Sequence, residues 1–405
     1  MAESWGIRPI LAVMTAQHTA PSAPDPDSSG ETERHASWLE LFFDLIAVAG
    51  VAQLAHLLRG APDHADLALY CVLFLAFWTA WMCFTTYGNV AADKVHTRTV
   101  LIGMFGLAVM AAAVPEVRSD HGDAFALGYV FVRLLASRVW QGRGEVPADW
   151  PMAQLSAGVT PWIISLWADD PARYWLWAGG LALDLTLTFA LSGNRLMTRL
   201  RKQHAAGDRT YGQQGERLRA ARFDPRHLDE RLGLFTLIVI GEGIAQGVQA
   251  ASGAEWNGDL GSLSVGAFAL LLALWALAVR RSSGVPLLGF GVLAPRFSLP
   301  LHCVATGALA SLAAALGAAV EHVEGRLPLG MRWLMCGAVA LFLAVGVVAG
   351  AVSGRGARWV VAVGLPMVAL PLLLAAFAGR WSPGSLVWAL VLVTRWNWLY
   401  EKRFA

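Results

Sequence analysis

Glu40 and Asp44 stand four residues apart in WLELFFDLIAVAG, residues 38–50, a stretch otherwise apolar enough to open a membrane span. At that spacing two carboxylates share one helix face. A charged group at the centre of a spanning helix costs about 2.5–3.5 kcal/mol on insertion scales, so each acid needs a reason to be there. For Glu40 a helix N-terminus suffices, because the macrodipole favours negative charge at that end. Asp44 is short and set among Phe43, Leu45 and Ile46, so it needs a partner or water. Glu242 poses the same question in LFTLIVIGEGIAQGV, where Gly241 and Gly243 admit a close neighbouring helix and Gln246 follows on the same face. A protonated or hydrogen-bonded packing residue is the plain alternative for Glu242. With Asp184, His96 and His302 these acids are the candidates for binding a substrate or ion, or for relaying a proton. Asp93, Arg133, Arg138, Glu230, Arg231 and Arg395 are candidates for a charge network, in which Arg133 and Asp184 are expected to neutralise each other.

Other chemistries find little support. The sequence has no HExxH, GxSxG or P-loop, and GEGIAQG lacks the preceding strand of a dinucleotide fold. Cys71, Cys83, Cys303 and Cys336 fall in apolar runs without a CxxC pair, so they read as small hydrophobes. No catalytic residue, metal site or cofactor is indicated. A Mg²⁺ site on Glu40, Asp44 and Asp93 would be the basis of an enzyme reading, in which the protein acts on a lipid or isoprenoid.

The elements that must position these residues are membrane helices. Only 15% of the 405 residues are charged and 56% are hydrophobic, against about 25% charged in soluble domains. A net charge of +2 is too mild to argue for nucleic acid. Apolar stretches long enough to cross hydrocarbon suggest twelve spans, at 38–58, 67–87, 98–117, 124–140, 152–169, 174–193, 232–250, 263–281, 300–320, 331–352, 358–378 and 383–399. Pro161 interrupts the fifth, and the fourth carries Arg133 and Arg138. Trp residues near span ends read as interfacial anchors. Residues 1–33 form a Pro- and Ser-rich tail expected to be disordered, with no cleaved export signal. Arg and Lys concentrate in the central segment 195–231, read as a basic linker, which favours both termini on the cytoplasmic side of the inner membrane.

A shift of 193 residues aligns Leu39, Leu41, Phe42, Gly50, Ala52 and Gln53 with Leu232, Leu234, Phe235, Gly243, Ala245 and Gln246. After small changes in loop length His96 falls opposite His302, both at span starts. The expected architecture is therefore an all-α polytopic membrane protein of two parallel six-helix repeats, residues 34–194 and 232–405.

The stretches RHASWLELFFDLIAVAGVAQLAHLL, HLDERLGLFTLIVIGEGI and SLPLHCVATGALASLAAALGAAVEH resemble the bacterial low temperature requirement A family. Its E-L-F-F-D-L signature is matched by Glu40 to Leu45, and its later signature by Glu230, Arg231, Gly233, Leu234, Phe235, Gly241 and Glu242. His302 matches a His that opens a later span, and Ala47 departs from a more often aromatic position. The resemblance implies a polytopic inner-membrane protein of unsettled activity. A second likeness is to the F-S-D signature opening each half of the six-plus-six potassium channels of bacteria and lysosomes. The second half here has Phe235-Thr236-Leu237 and lacks that Asp, a departure from a symmetrical pore. The leading expectation is a transporter or ion- or proton-conducting protein, with Asp44, Glu242 and His302 meeting at a polar site between repeats. A non-catalytic membrane partner or scaffold is the alternative, and a lipid-acting enzyme ranks behind both. Partners expected are the bilayer and an ion or small solute; the oligomeric state is left open.

Overall fold

Ser37 accepts the backbone N–H of Glu40 while the Glu40 carboxylate accepts that of Ser37, a reciprocal cap that starts α1 (Trp38–Leu57). Asp63 and Asp66 repeat the device at α2 (His64–Ala91). This computed structural model describes residues 35–60, 62–143, 145–147, 149–190, 198, 219–279 and 293–404. The chain continues through α3 (Thr97–Ala113), α4 (Gly122–Arg143) and a broken segment containing α5 (Val159–Ile164) to α6 (Ala172–Ala190). After it come α7 (Pro225–Ser252), α8 (Gly258–Val279), α9 (Pro295–Glu321) and α10 (Leu329–Val352). The last two are α11 (Ala357–Phe377), which contains a π-helical turn at Val360–Gly364, and α12 (Pro383–Phe404). Three-residue strands β1 (Glu145–Pro147) and β2 (Arg219–Ala221) pair in parallel.

Among the described residues seven helices, α1, α2 and α7 to α11, are long and apolar enough to cross a membrane; α3 and Pro383–Arg395 of α12 are apolar but shorter. Among these seven, α9 is the most enclosed, with 89% of its apolar window buried. Its alanines and glycines let neighbours close in: Tyr70 of α2 donates to the Gly307 carbonyl at 2.7 Å. In the first half α1 packs on α3, α3 on α4, α2 on α6, α4 on α5 and α5 on α6. In the second half α7 packs on α9, α9 on α10, α8 on α12, α10 on α11 and α11 on α12.

Helices α1 and α7 lie side by side in one direction. Near their starts the Ala36 N–H donates to Glu230; near their ends Arg59 Nη2 donates to Gln246 Oε1 at 2.6 Å. We call these the first end and the far end of the bundle.

Two sequence expectations need correction. The second half was expected to begin at 232, but α7 starts at Pro225, where Asp224 accepts the N–H groups of Arg226 and His227 and Pro225 fills the first turn. The polar run PRHLDER conceals those extra turns from hydropathy. Of the linker expected at 195–231, residues 195–197 and 199–218 lie outside the described residues, as does the expected tail 1–33.

The second correction is that 152–169 is not a spanning helix. A 3₁₀ turn at Pro151–Gln154, then α5, then a 3₁₀ turn at Ser165–Trp167 replace it. Six residues of α-helix reach about 9 Å, far short of a roughly 30 Å hydrocarbon layer. Pro151 opens the first 3₁₀ turn and Pro161 lies in the first turn of α5, where a residue without a backbone donor is tolerated, so each sits at a helix start and not in the interior of one long helix. Unwound backbone inside a bundle must find partners within the protein, and two buried charges supply them. Arg133 Nη2 donates to the carbonyls of Met152 (3.2 Å) and Leu155 (2.8 Å) and to Asp184 Oδ2 (2.7 Å), while Nη1 reaches Cys83 Sγ. The Gly158 N–H donates to Asp184 Oδ1 at 2.8 Å. Gly180 lets α6 approach this close, since a Cβ there would stand 2.5 Å from the Gly158 oxygen. Arg133 and Asp184 do neutralise each other, and they also bind the broken segment.

That second task predicts how variants melt. The double change Arg133→Met with Asp184→Leu removes the charges but strands the Leu155 carbonyl and the Gly158 N–H, at about 1–3 kcal/mol for each buried group, while the Met152 carbonyl keeps the Leu155 N–H. Thermal melting in detergent should therefore fall well below that of the parent. An unchanged melting temperature would show that the pair only balances itself.

Candidate functional site

Arg231 comes from the second turn of α7, and Glu40 and Asp44 lie one turn apart on the face of α1 that meets it. Its guanidinium spans both acids. Nε donates to Asp44 Oδ2 at 3.1 Å and Nη2 to Oδ1, while Nη1 lies 3.0 Å from Glu40 Oε1. Asp44 is fully buried and takes a further bond, from Trp81 Nε1 of α2, at 2.7 Å. Glu40 is also capped by the N–H and hydroxyl of Ser37 at 2.9 Å. Gly88 lets α2 pass beside this carboxylate, because a Cβ there would sit 2.8 Å from Glu40 Oε1. His227 Nε2 faces Glu40 at 3.3 Å, and Asn89 Nδ2 faces its Nδ1 at 3.2 Å. Asn89 donating to Nδ1 leaves Nε2–H to donate to Glu40, so a neutral ring satisfies both bonds. The side chains of one Arg and two acids then sum to −1, beside two helix N-termini that favour negative charge.

A second layer adjoins the first through Trp81. His302 of α9 stacks on the Trp81 ring at 5.8 Å between centroids, and Phe235 of α7 lies 4.1 Å from that ring. Trp78 Nε1 donates to His302 Nδ1 at 3.1 Å, and Nε2 meets the Leu232 carbonyl at 3.2 Å. Both ring nitrogens are thus engaged, and the side chain is buried. Thr236 Oγ1 stands 3.4 Å from Nε2 as well.

Glu242 belongs elsewhere. Eleven residues separate it from Arg231 along α7, about 16 Å at 1.5 Å per residue. It is half-buried and accepts from Gln246 at 2.7 Å; Gln246 in turn accepts from Arg59 and lies 3.5 Å from His56 Nε2. Arg59 also lines a far-end cleft of about 750 Å³, shared with Gln249, Glu255, Glu321, His322 and Glu324. Asp44 and His302 are therefore brought together around Trp81, and Glu242 is not. Between the two sets α1 and α7 bury Ala47, Val48, Val51, Val239 and Ile240.

The remaining candidates scatter. His96 is exposed at the N-cap of α3, with Nδ1 3.1 Å from Tyr87 Oη, whereas His302 is buried inside α9; the two do not occupy matching environments. Arg133 and Asp184 hold the broken segment. Glu230 accepts from the Ala36 N–H, and Arg138 is exposed. Arg395 is exposed on α12 with no acid against it among the described residues, so the network expected for it is not seen. The side chain of Asp93 lies outside the described residues. Sequence reasoning missed His227, which sits in the polar run assigned to the linker. It also gave no role to Trp78 and Trp81, which are buried hydrogen-bond donors to His302 and Asp44. Their i, i+3 spacing beside Cys83 and Tyr87 was the available signal.

Comparison with known proteins follows the same stretches. Residues 35–395 match the family described as Bacterial low temperature requirement A protein (LtrA). The chain is similar, at 28% identity over 247 residues, to an uncharacterised protein of Rhizobium meliloti (strain 1021). That alignment covers 55% of this chain and 56% of the relative, so the chain spans just over half the length of the curated relative it matches. No solved structure matches.

The triad makes a sharp prediction about charge. Arg231→Met alone leaves two carboxylates buried without their cation and should cost about 3–5 kcal/mol. Adding Glu40→Gln and Asp44→Leu should restore most of the melting temperature, read in detergent by intrinsic fluorescence. A triple variant as unstable as the single one would show that the fold needs the charges themselves.

Proposed function

The chain belongs to the bacterial low temperature requirement A protein (LtrA) family, and on that premise we propose that this integral membrane protein is a transporter or ion-conducting protein closed at its first end. One observation carries the reading. The α1–α7 seam holds a sealed ionic layer at the first end and, past an apolar interval, a polar layer joined to an open cleft at the far end. Burying three charges is a weak way to stabilise a helix contact, because apolar packing usually does as well. A closure that must open is a reason to retain them.

The proposed architecture is two six-element halves in parallel, twelve crossings in all, with the broken segment as the fifth. The matching order of helix packing in the two halves supports the duplication, as does the common direction of α1 and α7. The chain enters the broken segment after β1 and leaves it near Arg173, which pairs with Asp123 at the opposite end of α4, and this supports counting the segment as a crossing. The central basic run would then face the cytoplasm, with both termini, in a bacterial inner membrane. A non-transporting partner or scaffold is the second reading, favoured by the ion pairing of Asp44 and Asp184, the acids buried deepest.

Proteoliposomes loaded with a pH dye or a potassium or sodium indicator decide between them. The parent should pass at least one of these ions above empty vesicles. The variant Glu40→Gln, Asp44→Asn, Arg231→Gln should pass it about tenfold faster, equivalent to about 1.4 kcal/mol off the barrier. Flux at the empty-vesicle level for both proteins would overturn the transport reading in favour of the scaffold.

A further inference from the structure

Arg395 is an exposed cation in an apolar helix, and its surroundings say what should neutralise it. It lies at one end of a groove of about 490 Å³ between α8 and α12, lined by Leu272, Ala273, Ala276, Trp388, Val391 and Arg395. The two helices are pinned further toward the far end, where Trp388 Nε1 donates to Ser262 Oγ at 3.2 Å and Gly266 lies under the Trp388 ring. From that contact toward the first end, α8 presents Ala269, Ala273 and Ala276, and the small side chains leave the groove open. Its rim carries Leu272, 50% exposed, and Trp388, 37% exposed, so the groove faces outward from the bundle.

Depth follows from the sequence. Arg395 ends the apolar run of α12 and is followed by Trp396, Trp398 and Tyr400, residue types that gather at the membrane–water interface. An arginine at that level can reach a headgroup, and its planar fork matches a phosphate. No carboxylate meets it among the described residues.

We propose that this groove is a binding site for one anionic phospholipid, its acyl chain along α8 and α12 and its phosphate on Arg395. The site is separate from the α1–α7 seam and does not depend on the transport reading. A tightly held lipid there would add to the packing of α8 on α12, two helices of the second half that already meet at Trp388.

The test uses the full chain in detergent, with phosphatidylglycerol and phosphatidylcholine of identical acyl chains as probes and retained lipid counted by native mass spectrometry. The parent should retain phosphatidylglycerol over phosphatidylcholine by about fivefold, the scale of one basic residue at an anionic surface. Arg395→Gln should abolish the preference. Ala273→Phe, which fills the groove and keeps the charge, should lower retention of both lipids. Inorganic phosphate should not compete, since the chain and not the headgroup alone is held. Unchanged preference in Arg395→Gln, unchanged retention in Ala273→Phe, or displacement by phosphate would overturn the proposal. So would efficient disulfide linkage of two copies through Leu272→Cys in a Cys71→Ser background, which would show a second chain in the groove.

Discussion

A guanidinium held between two carboxylates of a neighbouring helix sets the register of this protein. Arg231 cannot slide along α1 without losing Asp44 or Glu40, because its three nitrogens are each assigned and the acids are one helical turn apart. In a low-dielectric interior an unpaired charge is far costlier than an ill-fitting methyl group, so the ion triad fixes the level of α7 against α1 more firmly than apolar contacts do. Trp81 and Ser37 occupy further acceptor positions of the two acids, which leaves little alternative geometry. With the starts of α1 and α7 held level, His56 and Gln246 meet at the far end as a consequence of equal rise.

Two buried arginines solve two different problems. Arg231 joins side chain to side chain across the halves. Arg133 joins side chain to backbone within the first half, replacing hydrogen bonds that a continuous helix would have made for itself. The contrast explains why α4, a poor span by composition, can still sit inside the bundle. Its polar face is turned toward the unwound segment and Asp184, and its arginine is as buried as a core leucine.

Much of this was legible in the chain, and the failures have physical causes. The apolar runs announced most helices, and the Glu40–Asp44 spacing announced a polar face. The partner of those acids was hidden because it lies 187 residues away and in a run too polar to register as helix. Hydropathy averages over a window, so PRHLDER read as loop although Asp224 and Pro225 give it a helix start. The same error moved Glu242 toward the middle of a supposed span, whereas the true helix begins earlier and places it nearer the far end. Pro161 did mark the broken segment. Its retention inside the bundle depends on Arg133 and Asp184, and no local pattern connects those to it.

The layering along the seam bears on what any path through the protein would require. Polar groups at the two ends are separated by a plug in which Phe235, Trp81 and His302 stack and the aliphatic residues of α1 and α7 interlock. His302 cannot bridge the gap as it stands, since one ring nitrogen is held by Trp78 and the other by the Leu232 carbonyl. A solute or proton crossing here therefore needs α1 and α7 to part, and parting them breaks every bond to Arg231 at once. The ionic layer and the plug would open together or not at all, because both are built on the same pair of helices.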